Sequence, residues 1–266
     1  MAIPFSWRAC SGARTALLVV AAFLAVQSLA ADSLVVRRSQ GTYHAFLVLK
    51  SLQGKPLAAG DLVQVAHGNE LTARVTFHFR DGSLDDETSV YSQDGVFRLI
   101  SDHHVQHGPS FPNPIDVEID AAKRQIRSKD AKGEPVEENF DELPDLCNGM
   151  LWTVLLNLDP PDLPRSFPAF APVQKSRLVS LAISADGEEQ LSIAGVRRAV
   201  NRYRIKIVLG GVAGMVAPMV GKQPPDLRVW MTGGPAPALV KEEGEFYLGG
   251  PIWRVEIAAP VFGAGR

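Results

Sequence analysis

The chain has 266 residues, a formal net charge of −2 and a hydrophobic fraction of 46 %. This slightly acidic balance excludes a bulk nucleic-acid binder, which needs an excess of basic charge. The glycine-containing stretches match neither a dinucleotide-binding nor a phosphate-loop spacing, so no cofactor is expected.

Residues 1–31 read as a secretory signal peptide. Arg8 and Arg14 precede an unbroken apolar run from Ala16 to Val26, and Ser28-Leu29-Ala30-Ala31 then supplies small residues for cleavage before Asp32. The run is shorter than the ~20 apolar residues of a membrane-spanning helix. The expectation is an exported protein, periplasmic or secreted, with no transmembrane segment after signal cleavage. The segment contains two arginines and no acidic residue, so its removal leaves a more acidic chain of a length suited to a single β-rich domain over 32–266. Cys10 departs with it. Cys147 then stands alone, which rules out an intrachain disulfide in the mature chain.

Strand signals dominate the mature chain. Leu71–Phe79 alternates apolar and polar residues, the period of a half-buried strand. Asp81-Gly82 then marks a turn, Ser83–Gln93 a second strand, Asp94-Gly95 another turn and Val96–His107 a third strand. Gly108–Pro114 ends the third run in a rigid turn, and Lys123–Asn139 reads as a charged loop. Leu146–Leu158, bracketed by Pro144 and Pro160, reads as a short helix capping the sheet, with Asn148 at its N-cap; a buried strand is the alternative. The Pro-rich stretch Asp159–Pro172 is expected to link two β halves. Further strands are predicted at Arg177–Ser184, Gln190–Ile193, Ala199–Leu209, Leu227–Met231, Ala238–Glu242 and Pro251–Ala258. Between them Gly210–Gly221 is apolar and glycine-punctuated, where a polar loop is the default. It reads either as a pliable lip carrying Met215 and Met219 or as a loop tucked into the core.

If each Asp-Gly pair forms a two-residue hairpin loop, the register is fixed. One face then carries Phe77, Phe79, Phe97 and Leu99, with Asp86 directly opposite His103. The other carries a cross-strand row of His78, Asp85 and His104, beside Glu87 opposite Asp102. Asp86 and His103 suggest an oriented acid–base pair, or otherwise a satisfied polar pair near the open end of the sheet. His78, Asp85 and His104 offer donors suited to a transition metal, or otherwise ordinary exposed charge pairing. Ser110 lacks the glycine pattern of a nucleophile elbow, so a serine hydrolase is not supported. Cys147, beside an apolar segment, is expected to be buried and inert.

Two stretches carry a resemblance: Asp85-Asp86-Glu87-Thr88 through Asp102-His103-His104-Val105-Gln106-His107-Gly108-Pro109-Ser110-Phe111-Pro112, and Gly210-Gly211-Val212-Ala213-Gly214 through Gly221-Lys222-Gln223-Pro224-Pro225-Asp226-Leu227. They resemble exported bacterial β-rich proteins of unknown function. The end, from Asp226-Leu227-Arg228-Val229-Trp230, is similar to a wider group of periplasmic β-sheet domains. The resemblance covers most of residues 70–260. It implies a curved antiparallel sheet and an envelope location, and it brings no activity and no catalytic residues.

The expected fold is all-β: a strongly curved antiparallel sheet or incomplete barrel with one short capping helix. Curved sheets with an apolar interior often hold lipophilic ligands. The leading expectation is a non-catalytic binding protein for a lipid-like small molecule or an envelope protein, with Phe77, Phe79, Phe97, Leu99, Phe111, Trp152, Met215 and Met219 lining the site. The rivals are a metal-dependent or His/Asp hydrolase, centred on Asp86 and His103 or on the His78–Asp85–His104 row, and a purely structural envelope component.

Overall fold

The computed structural model describes residues 33–129, 132–171, 177–193, 195–209 and 224–258. The expected signal peptide and the Met215/Met219 stretch lie outside the described residues.

Period-two alternation dictates the architecture. Eight strands come first: β1 (Tyr43–Ser51), β2 (Pro56–His67), β3 (Glu70–Phe79), β4 (Leu84–Asp94), β5 (Val96–His107), β6 (Ile115–Asp120), β7 (Gln125–Lys129) and β8 (Pro135–Asn139). After a two-residue strand β9 (Leu146–Cys147) comes a single 3₁₀ turn (Asn148–Met150), which runs into the helix α1 (Leu151–Leu156). Six strands complete the series: β10 (Arg165–Ala171), β11 (Arg177–Ile193), β12 (Val196–Leu209), β13 (Leu227–Thr232), β14 (Leu239–Glu245) and β15 (Ile252–Ile257). All fifteen form one sheet in the order β8 to β1, then β15 down to β9. Every pairing between these strands is antiparallel except the short parallel contact of β9 with β10. The sheet is all-β, large and not closed into a barrel.

Curvature brings the two halves onto one core. Tyr91, Phe97, Ile119 and Ile126 from the first half join Phe167, Ile183, Ile205 and Met231 from the second in a single buried cluster. The helical segment enters it with Met150, Leu151, Val154 and Leu155. A helix this short is marginal alone, so its packing and its ends hold it. Asn157 at its C-terminal end accepts from the backbone N–H groups of Arg37 and Arg38 at 3.0 and 2.8 Å and donates to the Thr153 carbonyl. Arg38 also donates to the carbonyl of Leu156, at the end where helical carbonyls lack partners. Where the sheet stays open, the Leu99 N–H donates to the carbonyl of Asp145 at 2.8 Å.

The expected turn register is shifted by one residue. β3 pairs with β4 so that Phe77 faces Asp85 and His78 faces Leu84, which leaves Arg80-Asp81-Gly82 as a three-residue loop with Gly82 at φ +86°. The second turn likewise places Gln93 opposite Phe97, with Gly95 at φ +70°. A three-residue loop ending in a left-handed glycine uses Asp-Gly as well as a two-residue loop does. β5 then bulges at Ile100, between the Tyr91–Leu99 and Val90–Ser101 pairs. A bulge adds one residue to one strand and reverses which residues face inward beyond it.

Three further expectations are corrected. Lys123–Asn139 is not a loop but contains β7 and β8, strands at the sheet margin whose charged residues face solvent. The Pro-rich stretch after Asp159 contains β10, whose Pro168 lies outside the two residues that pair with β9, a position of the edge type that proline tolerates. Asn148 is not an N-cap: no side-chain cap is made at Cys147, the residue in that position, and the Asn148 amide turns instead toward Glu87.

Candidate functional site

The loop and the bulge together decide the chemistry of the interior. Because β4 is shifted, its inward residues are Asp85, Glu87, Ser89, Tyr91 and Gln93. Because β5 bulges, its inward residues past Ile100 are Asp102, His104 and Gln106. Three carboxylates expected outside, Asp85, Glu87 and Asp102, therefore enter the interior together with His104, also expected outside.

His104 Nε2 meets Asp85 Oδ1 at 2.7 Å, and its Nδ1 lies 3.9 Å from Glu87 Oε1. Ser89 Oγ donates to Asp102 Oδ1 at 2.6 Å, and the Cys147 thiol approaches the same oxygen at 3.4 Å. Burial and neighbouring negative charge push the Cys147 thiol well up, so it is buried and protonated at neutral pH, not a reactive thiolate. Burial pushes the Glu87 carboxyl up to about 8, opposed by the charge of His104 and reinforced by Asp102. For His104, burial favours the neutral ring, but Glu87 and Asp85 outweigh it and raise the imidazole to about 9. Burial also raises Asp102. Three buried atoms here have no hydrogen-bond partner: Glu87 Oε1, Asp102 Oδ2 and His104 Nδ1. Gly149 closes over the group so tightly that a Cβ there would fall 2.2 Å from Ser89 Oγ.

Beside Glu87 opens a small cleft with a cavity volume of about 100 Å³. β3 supplies Val75 and Phe77, β15 supplies Val255, β13 supplies Leu227, and the helical segment supplies Leu151 and Trp152. Phe246, after β14, closes one side. The polar lining is Glu87, Asn148, Glu242 and Glu245. Burial pushes the Glu242 carboxyl up to about 7, opposed only by the indole N–H of Trp152, which donates to its Oε2. Burial likewise raises Glu245.

Of the residues expected to line a ligand site, Phe77 and Trp152 border this cleft. Phe79 and Phe111 belong instead to an aromatic cluster beside it, with ring centroids 5.2 Å apart and both rings against Trp253. Phe97 and Leu99 are buried in the large core, where helix and sheet side chains occupy the concave face. The sequence pattern did not single out Glu242, Glu245 or Leu227 as lining residues. The run Ala238–Glu242 reads as a strand, but its apolar residues followed by two charged ones do not say which carboxylate turns inward.

The rival constellations separate. Asp86 lies on the outer face, where it accepts two bonds from Arg74 at 2.8 and 2.7 Å and one from Thr76. His103, also outside, pairs with Asp116 at 2.9 Å. The expected Asp86–His103 opposition is thus replaced by Asp86–Val105 and Thr88–His103 pairs. His78 is exposed on the opposite face from the buried Asp85 and His104, so the three cannot share one ion. Among the described residues, no group of three or more His, Cys, Asp or Glu side chains is placed to hold a metal. No described helix is long and apolar enough to cross a membrane. A scan of protein-family models and a search of curated proteins both give no match to the chain.

Proposed function

We propose that this protein is an exported, non-catalytic binding protein for a small molecule with an apolar body, taken up in the cleft between β3, β13, β15 and α1. The observation that carries the reading is the cleft itself. Phenyl, indole and aliphatic walls surround a few polar groups at one end, the usual composition of a small-molecule site. The rest of the concave face is filled by side chains, which confines the ligand to this end.

A hydrolytic role has less support. His104, the one buried histidine among the described residues, has Asp85 and Glu87 as its neighbours, while the Ser89 hydroxyl donates to Asp102. In this group neither Ser89 nor Cys147 is hydrogen-bonded to an imidazole that could take its proton. Asp86 and His103 each have another partner on the outer face.

Trp152 makes the test direct. A neutral naphthylamine fluorophore added to the purified protein is expected to brighten, quench or shift Trp152 emission, and compete with ligands extracted from the host envelope. Trp152→Phe is expected to remove the tryptophan response and weaken uptake several-fold. Absence of any probe uptake by the folded protein would overturn the reading.

A further inference from the structure

The cleft's polar lining is one-sided in charge. Glu87, Glu242 and Glu245 present carboxyl groups to it, and none of the described residues lining it is lysine, arginine or histidine. Glu242 has a neutral indole as its hydrogen-bond donor, with no cation. Glu87 lines the cleft with one oxygen, Oε1, buried and without a hydrogen-bond partner on the side of His104, 3.9 Å from its Nδ1, while the Asn148 amide reaches its Oε2 at 3.4 Å. A buried carboxyl without a full partner is costly, and its natural complement is a positive charge that brings its own N–H donors. Elsewhere in the chain carboxylates find such partners readily, as Asp86 does with Arg74 and Glu243 with Arg254.

We infer that the ligand of this cleft is an organic cation, an amine carried on an apolar body, with its nitrogen held by Glu242 and Glu87 and its chain laid against Phe77, Trp152 and Leu227. This rests on the binding reading above and sharpens it. The raised affinity of both carboxyls for protons is consistent with it, since each holds a proton where a cation would otherwise stand. The aromatic walls add to the preference, because ring faces attract cations.

The test is a charge series on a constant chain: n-octylamine, n-octanol and octanoate, titrated calorimetrically into the full-length mature protein at pH 8. Octylamine is expected to bind at least tenfold tighter than octanol, with octanoate weakest. Glu242→Gln keeps an acceptor for the Trp152 indole, and together with Glu87→Gln it is expected to reduce that preference about tenfold. If octanol binds as tightly as octylamine, or if both glutamine variants keep the full preference, the cation assignment is overturned while the binding reading stands. If no member of the series binds, both are overturned.

Discussion

Asp85 and Asp86 are neighbours in the chain, and so are His103 and His104, yet one of each pair lies inside the sheet and the other outside. On the outer face Asp86 and His103 have separate partners in water-exposed pairs. On the inner face Asp85 and His104 hold each other in a group where Glu87, Asp102 and His104 each keep an unpaired atom. The same residue types are replaceable on one face and demanding on the other. The difference is solvent: a surface ion pair contributes about 0–1 kcal/mol, whereas breaking a buried one costs several.

The sharpest break of the comparison is to truncate each histidine in turn. His104→Ala removes the cationic partner that Asp85 and Glu87 share and is expected to cost about 3–5 kcal/mol in urea unfolding. The same change at His103 is expected to cost under about 1 kcal/mol. Equal losses at the two positions would mean that the inward register of β5 is wrong.

Gly149→Ala should come next. Its Cβ would overlap the Ser89 hydroxyl and crowd the Glu87 carboxyl at 3.0 Å. Overpacking of this kind costs about 1–3 kcal/mol, and the midpoint of thermal unfolding should fall by several degrees. Ser89→Gly in the same chain should restore part of the loss.

The pH dependence comes third. Glu87, raised from 4.5 to about 8, and Glu242, raised to about 7, keep their protons in the folded chain where the unfolded chain has lost them. Their contribution is fully present below pH 4.5 and is lost as the pH rises through those folded values. His104, raised from 6.5 to about 9, acts in the same direction: its contribution is full below 6.5 and lost through about 9. Stability should therefore fall between about pH 4.5 and 9, by about 1 kcal/mol per unit for each group titrating in its own part of that range. Denaturant melts across that range check it, and Glu87→Gln should flatten the slope. The smallest effect is expected at Asp86→Asn, where a half-exposed Arg74 is left to solvent; its melt should shift by under about 1 kcal/mol.

Much of the fold was legible because alternation in the sequence survives in space. The runs from Leu71 to His107 and from Ala199 to Leu209 are strands in the structure, and the apolar segment after Pro144 supplies the helix α1. The site was legible only in part. Asp85, Glu87, Asp102 and His104 stand out as polar residues on strands, but their facing depends on a loop of three residues rather than two and on one bulge at Ile100. Neither leaves a mark in composition, since Asp-Gly serves both loop lengths and isoleucine has no preference for a bulge. β7, β8 and β10 were hidden for a related reason. Strands at a sheet margin need no apolar stripe on both faces and tolerate proline, so their sequences resemble loops. Glu242 illustrates the remainder: its role depends on Trp152, ninety residues away, reaching it across the cleft.

Everything proposed for this protein turns on the cleft beside Glu87, Glu242 and Trp152 holding a ligand. Native mass spectrometry of the protein, purified gently from its own host, tests it most directly. The expected result is a co-purifying mass of a few hundred daltons, lost in Trp152→Ala and identified on release as an amine with an apolar body. A bare chain from the same preparation, with the cleft intact and no mass acquired on adding octylamine, would contradict it.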